Sequence, residues 1–144
     1  MSKLENKRLL KQERLLEMAI EQWPGILSIK DYTDGTPRLV YMNERLLKYE
    51  GIGSVEDYYD RNPDEVLDGG EEFCAEDMQV LEENGPISFL NTDRYGTHWI
   101  KYKWPIYDGD STYVVAGLIE LNQQMISVFM ETIEINGKPR LQRA

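Results

Sequence analysis

At 144 residues and 16.8 kDa, with 41% hydrophobic and 29% charged side chains, the chain holds one compact domain with an appended arm, and two full domains are excluded. Sixteen basic against twenty-six acidic side chains give a net charge of −10 and a pI near 4.6, the wrong sign for a phosphate backbone or an anionic bilayer. Neither nucleic acid nor a membrane is expected as a partner. The single cysteine, Cys74, closes no intramolecular disulfide, and the single histidine, His98, builds no Cys/His zinc site, so no metal is expected and a reducing cytoplasm is the expected setting.

Residues 3 to 22 lack Gly and Pro, carry Leu9, Leu16 and Trp23 at sevenfold spacing with Ala19 and Ile20 on the same side, and stop at Pro24-Gly25. That pattern predicts an amphipathic helix. The runs 26 to 31 and 38 to 43 flank a turn containing Asp34-Gly35 and predict a β-hairpin. From Glu44 to Asn84 the pattern turns helical in short pieces broken by Gly51, Gly53, Asn62-Pro63 and Gly69-Gly70. Three strands follow at 86 to 93, 97 to 107 and 112 to 121, with connections short enough for antiparallel hairpins. The longest apolar stretch, Tyr113 to Ile119, falls far short of the roughly 18 to 20 residues that span a bilayer. The first residues are charged throughout and lack the apolar region of a signal peptide. For residues 122 to 144 two readings stand: a helix with Met125, Phe129 and Ile133 on one face, or a hairpin at Asn136-Gly137.

Charge is concentrated in residues 50 to 84, where thirteen acidic side chains face Arg61 alone. A solvated helical face is the ordinary reading of such a run. The sharper one is a cation site or a docking face for a basic partner. No EF-hand loop can be laid on this segment.

Hairpin, short helices and a three-stranded meander make an α+β domain, with helices on one face of a five-stranded antiparallel sheet. Between Trp23 and Asn122 stand Asp34-Gly35, Tyr41-Met-Asn43 before Leu46-Leu47 and Gly51, Asp77 and Val80 before Gly85-Pro86, Gly96 before Trp99, Pro105 with Asp108, and Gly117 to Leu121. By the order and spacing of these residues the segment resembles a PAS sensory domain, and together with the element order the resemblance implies the strand order 2-1-5-4-3. The Asp-Ile-Thr that often ends the last strand in that family reads Glu120-Leu121-Asn122 here. The expected organisation is a dimerising cap helix (1–22), a PAS-like domain (23–122) and an output arm (123–144).

Alternation in the fourth strand puts Ile100, Tyr102, Trp104 and Ile106 on one face and Trp99, Lys101 and Lys103 on the other, and the first set is expected to face the helices. A small-molecule pocket is then expected among Leu39, Tyr41, Tyr49, Tyr58, Ile100, Tyr102, Trp104 and Leu118, with plain core packing as the competing reading of these aromatics. The last strand is apolar on both faces and needs a second cover, for which the N-terminal helix is the candidate. Leu9, Leu16 and Ile20 are the expected stripe of a homodimer interface.

Cofactor signals are weak. A haem ligand would have to be His98, placed near a turn, and the flavin-attaching sequence Asn-Cys-Arg-Phe-Leu-Gln is absent around Cys74, so neither haem nor flavin is supported by a motif. No hydrolase elbow or phosphate-binding loop is present either. The expected function is a non-catalytic sensory module that binds a small molecule or a partner protein and relays a change through its termini. The alternative is a small cone-type isomerase or dehydratase, with Asp31 or Glu120 as proton carrier.

Overall fold

The computed structural model describes residues 2–122 and 141–143. Its elements run α1 (Lys3–Glu21), β1 (Ile26–Asp31), β2 (Arg38–Met42), α2 (Glu44–Glu50), a 3-10 turn (Val55–Asp57), α3 (Pro63–Val66), α4 (Gly70–Glu83), β3 (Ile87–Thr92), β4 (His98–Asp108), β5 (Ser111–Leu121) and β6 (Leu141–Arg143). The first five strands form the expected antiparallel sheet in the order β2-β1-β5-β4-β3. Strand β6 adds a sixth member, parallel to β3, with Ser88 opposite Leu141 and Leu90 opposite Arg143. The hairpin reading of the C-terminal arm implies a strand after Asn136-Gly137, but neither reading placed one beside β3, because three residues are too few to show which edge they join. Met125, Phe129 and Ile133 lie outside the described residues.

One face of the sheet is covered by α2 to α4. Two apolar clusters lie there, one around Ile26, Leu39, Met42, Tyr58 and Trp99, the other around Tyr32, Val80, Phe89 and Val114. Asn43 locks the crossing from sheet to helices. Fully buried, it caps α2 by accepting from Leu46 N–H at 3.0 Å, accepts from Leu27 N–H of β1 at 3.1 Å, and donates to the Gly25 carbonyl at 3.1 Å.

Helix α1 is capped by Ser2, whose hydroxyl accepts from Glu5 N–H, yet none of its residues is buried. Leu9 and Leu16 are 38% and 63% exposed and Ile20 is half-buried, so the body of the helix does not lie on the sheet. The cover of the outer face comes instead from Trp23 just beyond the helix. Its indole lies over Gly117, where an added Cβ would come within 2.7 Å of the ring. A glycine in the middle of β5 is thereby explained by close approach rather than by turn geometry. The end of α1 is tied down by Glu21, which accepts from the Tyr41 hydroxyl and from Glu44 N–H at the start of α2. Among the described residues, no helix is long and apolar enough to cross a membrane.

The face assignment of β4 is corrected by the structure. Trp99, Lys101 and Lys103 are 7%, 2% and 1% exposed and point under the helices, whereas Tyr102 is 43% and Ile106 40% exposed on the outer face. Strand period is two, so choosing the wrong face inverts every residue. Charge misled the reading: lysines belong in water unless a partner is buried with them, and here the partner comes from α4.

Candidate functional site

A cavity of about 440 Å³ lies between the inner sheet face and the helices. Its walls combine apolar side chains of β1, β5 and α2, among them Ile26, Leu46, Ala116 and Leu118, with the aromatic rings of Tyr49, Phe73 and Trp99. Lys30, Lys101 and Lys103 also line it. At the mouth stand Glu50, Asp68, Glu71, Glu72 and Arg94, with Arg94 paired to Asp68.

Helix α4 brings the counter-charges. Phe73, Glu76, Asp77 and Val80 recur at three- and four-residue spacing, so the two carboxylates occupy the face turned toward the sheet. Asp77 is fully buried and takes three donors: Lys30 at 2.7 Å, Lys103 at 2.9 Å and the Tyr32 hydroxyl at 2.6 Å. Glu76 takes Lys101 and Lys103, each at 3.1 Å, and Lys103 also donates to the Phe73 carbonyl at 3.0 Å. The Phe73 ring lies 4.6 to 5.6 Å from all three ammonium groups, so its negative face adds a diffuse attraction. The acidic segment thus serves in part as a cation site, and the cations are the protein's own lysines.

Burial alone would raise Asp77, but Lys30 and Lys103 outweigh it and hold the carboxyl below its usual range. Burial lowers Lys30 and Lys101 below the ordinary lysine value, against the pull of Asp77 and Glu76 respectively. Tyr32 is pushed upward by burial and by the adjacent Asp77 charge. The sign for Asp77 follows by linkage. Its native pKa lies below the unfolded one, so its contribution is complete above the ordinary aspartate value of 3.8 and is lost as pH falls through the native value. Urea unfolding followed from about pH 5 to pH 2 is expected to show stability falling more steeply in the wild type than in Asp77→Asn, which has no carboxyl to protonate at this position.

A second polar knot closes the end of the cavity near β3 and β4. Asp93 accepts from the Tyr49 hydroxyl at 2.6 Å, from Trp99 Nε1 at 3.0 Å, and from the backbone of Tyr95 and Thr97 at 2.9 Å each. Tyr49 and Trp99 meet edge to face with centroids 5.6 Å apart. Burial opposes the charged form of Asp93, and the hydrogen bonds from Tyr49 and Trp99 overcome it, holding this carboxyl low as well.

Of the residues expected in a pocket, the structure brings Tyr49 and Leu118 to the cavity wall. Leu39 and Tyr58 are packed in the core beside it, and the Tyr58 hydroxyl accepts from Met42 N–H at 3.3 Å. Tyr41 is half-buried on the outer side, with its hydroxyl on Glu21. Ile100, Tyr102 and Trp104 belong to the outer face of β4, where the Tyr102 and Trp104 rings meet tilted at 44° with centroids 5.5 Å apart. The lysines and the Glu76-Asp77 pair were missed. The available signal was Phe73, Glu76, Asp77 and Val80 forming one helical face, which requires cations opposite.

The remaining candidates for chemistry lie off the cavity. His98 Nδ1 is 2.8 Å from the Thr92 hydroxyl and does not line the wall, so the donor set does not fit a haem ligand. Cys74 is half-buried outside the lining, and burial raises its thiol, which does not fit covalent flavin attachment. Asp31 accepts from Thr33 N–H and its hydroxyl in a local turn, and Glu120 is exposed, so neither stands in the cavity as a proton carrier. Among the described residues no group of His, Cys, Asp and Glu is arranged to hold a metal ion.

No family model and no curated protein sequence matches the chain. Solved structures do. The PAS domain of BvgS from Bordetella pertussis superposes with a TM-score of 0.58 at 17% identity, over 88% of this chain and 98% of that one. A light-oxygen-voltage domain studied with a flavin analogue gives 0.57 at 19% identity, over 85% and 96%. The PAS domain of an HTR-like protein from Haloarcula marismortui gives 0.52 at 20% identity, over 83% and 100%. At such identities the likeness carries the fold, and the fold agrees with the strand order and with Asn43 at the end of β2. The chain folds as a PAS-like domain.

Proposed function

We propose that the chain is a non-catalytic sensory signalling module: its cavity takes up a small molecule, and its terminal segments, residues 1–22 and 123–144, relay the occupied state to a second copy of the chain and to a partner protein. The observation that carries this reading is the route from cavity to terminus. Leu46, Tyr49 and Glu50 of α2 line the cavity, and the first N–H of α2 is held by Glu21, the last residue of α1. A ligand that favours one position of α2 biases the docking of α1 by the same differential free energy, which is a population shift. Homodimerisation through α1 is supported by the exposure of Leu9 and Leu16 and by the marginal stability of a lone helix of this length.

Native mass spectrometry of protein purified from its own source tests both parts. The expected spectrum is a dimer carrying a small-molecule mass, and deletion of residues 1–22 is expected to give a monomer that keeps it. A bare monomer in the full chain would count against both uptake and dimerisation, and a dimer surviving the deletion would move the interface elsewhere.

A further inference from the structure

Resting on the reading that the cavity takes up a small molecule, we infer that its ligand is a small organic anion, a carboxylate or an equivalent singly charged group on an apolar body, seated against Lys30 and Lys101. The buried charges form a chain of alternating sign, Lys30–Asp77–Lys103–Glu76–Lys101, with contacts of 2.7, 2.9, 3.1 and 3.1 Å. Such a chain begins and ends on a cation. Three ammonium groups therefore face two carboxylates, and the lysine side chains are at most 2% exposed. One positive charge is left over on side chains with almost no solvent exposure.

Donor capacity points the same way. An ammonium group has three N–H donors. Lys103 donates to Phe73 O and Asp77 and lies 3.1 Å from Glu76, and Lys101 donates to both Glu76 oxygens, leaving it one N–H, whereas in this network Lys30 donates to Asp77 alone, leaving it two. The Phe73 ring offsets part of the charge but accepts no directed bond of comparable strength. Lys30 is faced by Asp77 and Cys74 of α4 and Lys103 of β4, and Lys101 by Glu76 and Glu72 of α4 and Lys103, so among the described residues no further buried carboxylate answers either end. A bound anion would complete the alternation and satisfy the remaining donors.

The rest of the cavity narrows the class. Ile26, Leu46, Leu67, Trp99 and Leu118 offer an apolar wall suited to a hydrocarbon or aromatic body. The mouth, with Glu50, Asp68, Glu71 and Glu72 against Arg94, repels groups of high negative charge, which disfavours polyphosphates and selects a single buried anionic head.

Three shape-matched probes test this by titration calorimetry: naphthylacetate, naphthylacetamide and naphthylethylamine. The carboxylate is expected to bind roughly tenfold to a hundredfold more tightly than the amide, the range of one charge-assisted hydrogen-bonded contact, and the amine least of all. In Lys101→Met, where Glu76 keeps Lys103 at 3.1 Å, the carboxylate's advantage over the amide is expected to shrink to within a few-fold. Amide or amine binding as tight as the carboxylate in the wild type overturns the anion inference and leaves the cavity reading standing. Failure of all three probes to bind at millimolar concentration overturns both. The wild-type comparison holds whether or not the variant folds.

Discussion

Replacing Asp77 by alanine is expected to cost about 3 to 5 kcal/mol of folding stability, the range for removing one partner from a buried ion pair. The loss is large because three donors converge on this carboxylate, and each stays behind. Lys30 and the Tyr32 hydroxyl lose an acceptor at 2.7 and 2.6 Å in a place almost without water. Lys103 fares better, since Glu76 and the Phe73 carbonyl remain. The penalty therefore falls chiefly on Lys30, and removing that charge as well should recover part of it. The double variant Lys30→Met with Asp77→Ala is expected to be more stable than the sum of its parts by at least about 1 kcal/mol, as for residues sharing one network. Equilibrium urea unfolding read by tryptophan fluorescence measures all three variants. Strict additivity would show that Lys30 and Asp77 are not coupled, and with that the alternating chain would lose its first link.

The sheet was legible and the site was not, for one physical reason. The strands and their hairpins follow from apolar alternation and turn chemistry, both local, whereas the order that sets β1 beside β5 is what the resemblance implied: Asp34-Gly35 makes its turn with Gly35 at φ +82° and Thr36 N–H donating to Asp34, as the residues alone demand. The inner face of β4 follows from a non-local fact, that Glu76 and Asp77 meet Lys101 and Lys103 across 25 to 27 positions of chain. Read strand by strand, Lys101 and Lys103 mark a solvated face, and Tyr102 with Trp104 mark the core. Read with α4, the same residues exchange places, because two carboxylates on the face of a helix that also carries Phe73 and Val80 cannot be buried without cations. The aromatic stripe on the outer face was the stronger local signal and the wrong one. Asn43 belongs to a third kind: its position came from resemblance, and only the structure gives it a physical task.

That task makes Asn43 the second position of large effect. Replacing it by alanine is expected to cost about 2 to 4 kcal/mol, since buried backbone groups left unpaired cost about 1 to 3 kcal/mol each and a lost helix cap about 1. One amide serves three segments at once: its oxygen accepts from Leu27 N–H and Leu46 N–H, and its nitrogen donates to the Gly25 carbonyl. Aspartate keeps the acceptor and the cap but has no donor for Gly25, and it buries a charge. Asn43→Asp is therefore expected to be destabilised too, which a purely capping role would not produce. The damage should be local as well as global. Helix α2 carries Leu46, Tyr49 and Glu50 into the cavity wall and is the element tied to α1 through Glu21, so freeing its first turn loosens the wall and the route to the terminus together. Amide hydrogen exchange under native conditions reads this directly: in Asn43→Ala, protection is expected to fall first in residues 44 to 50, ahead of β4 and β5. Uniform loss of protection across the sheet would make Asn43 a general core residue, and α2 would then no longer be a separately movable part.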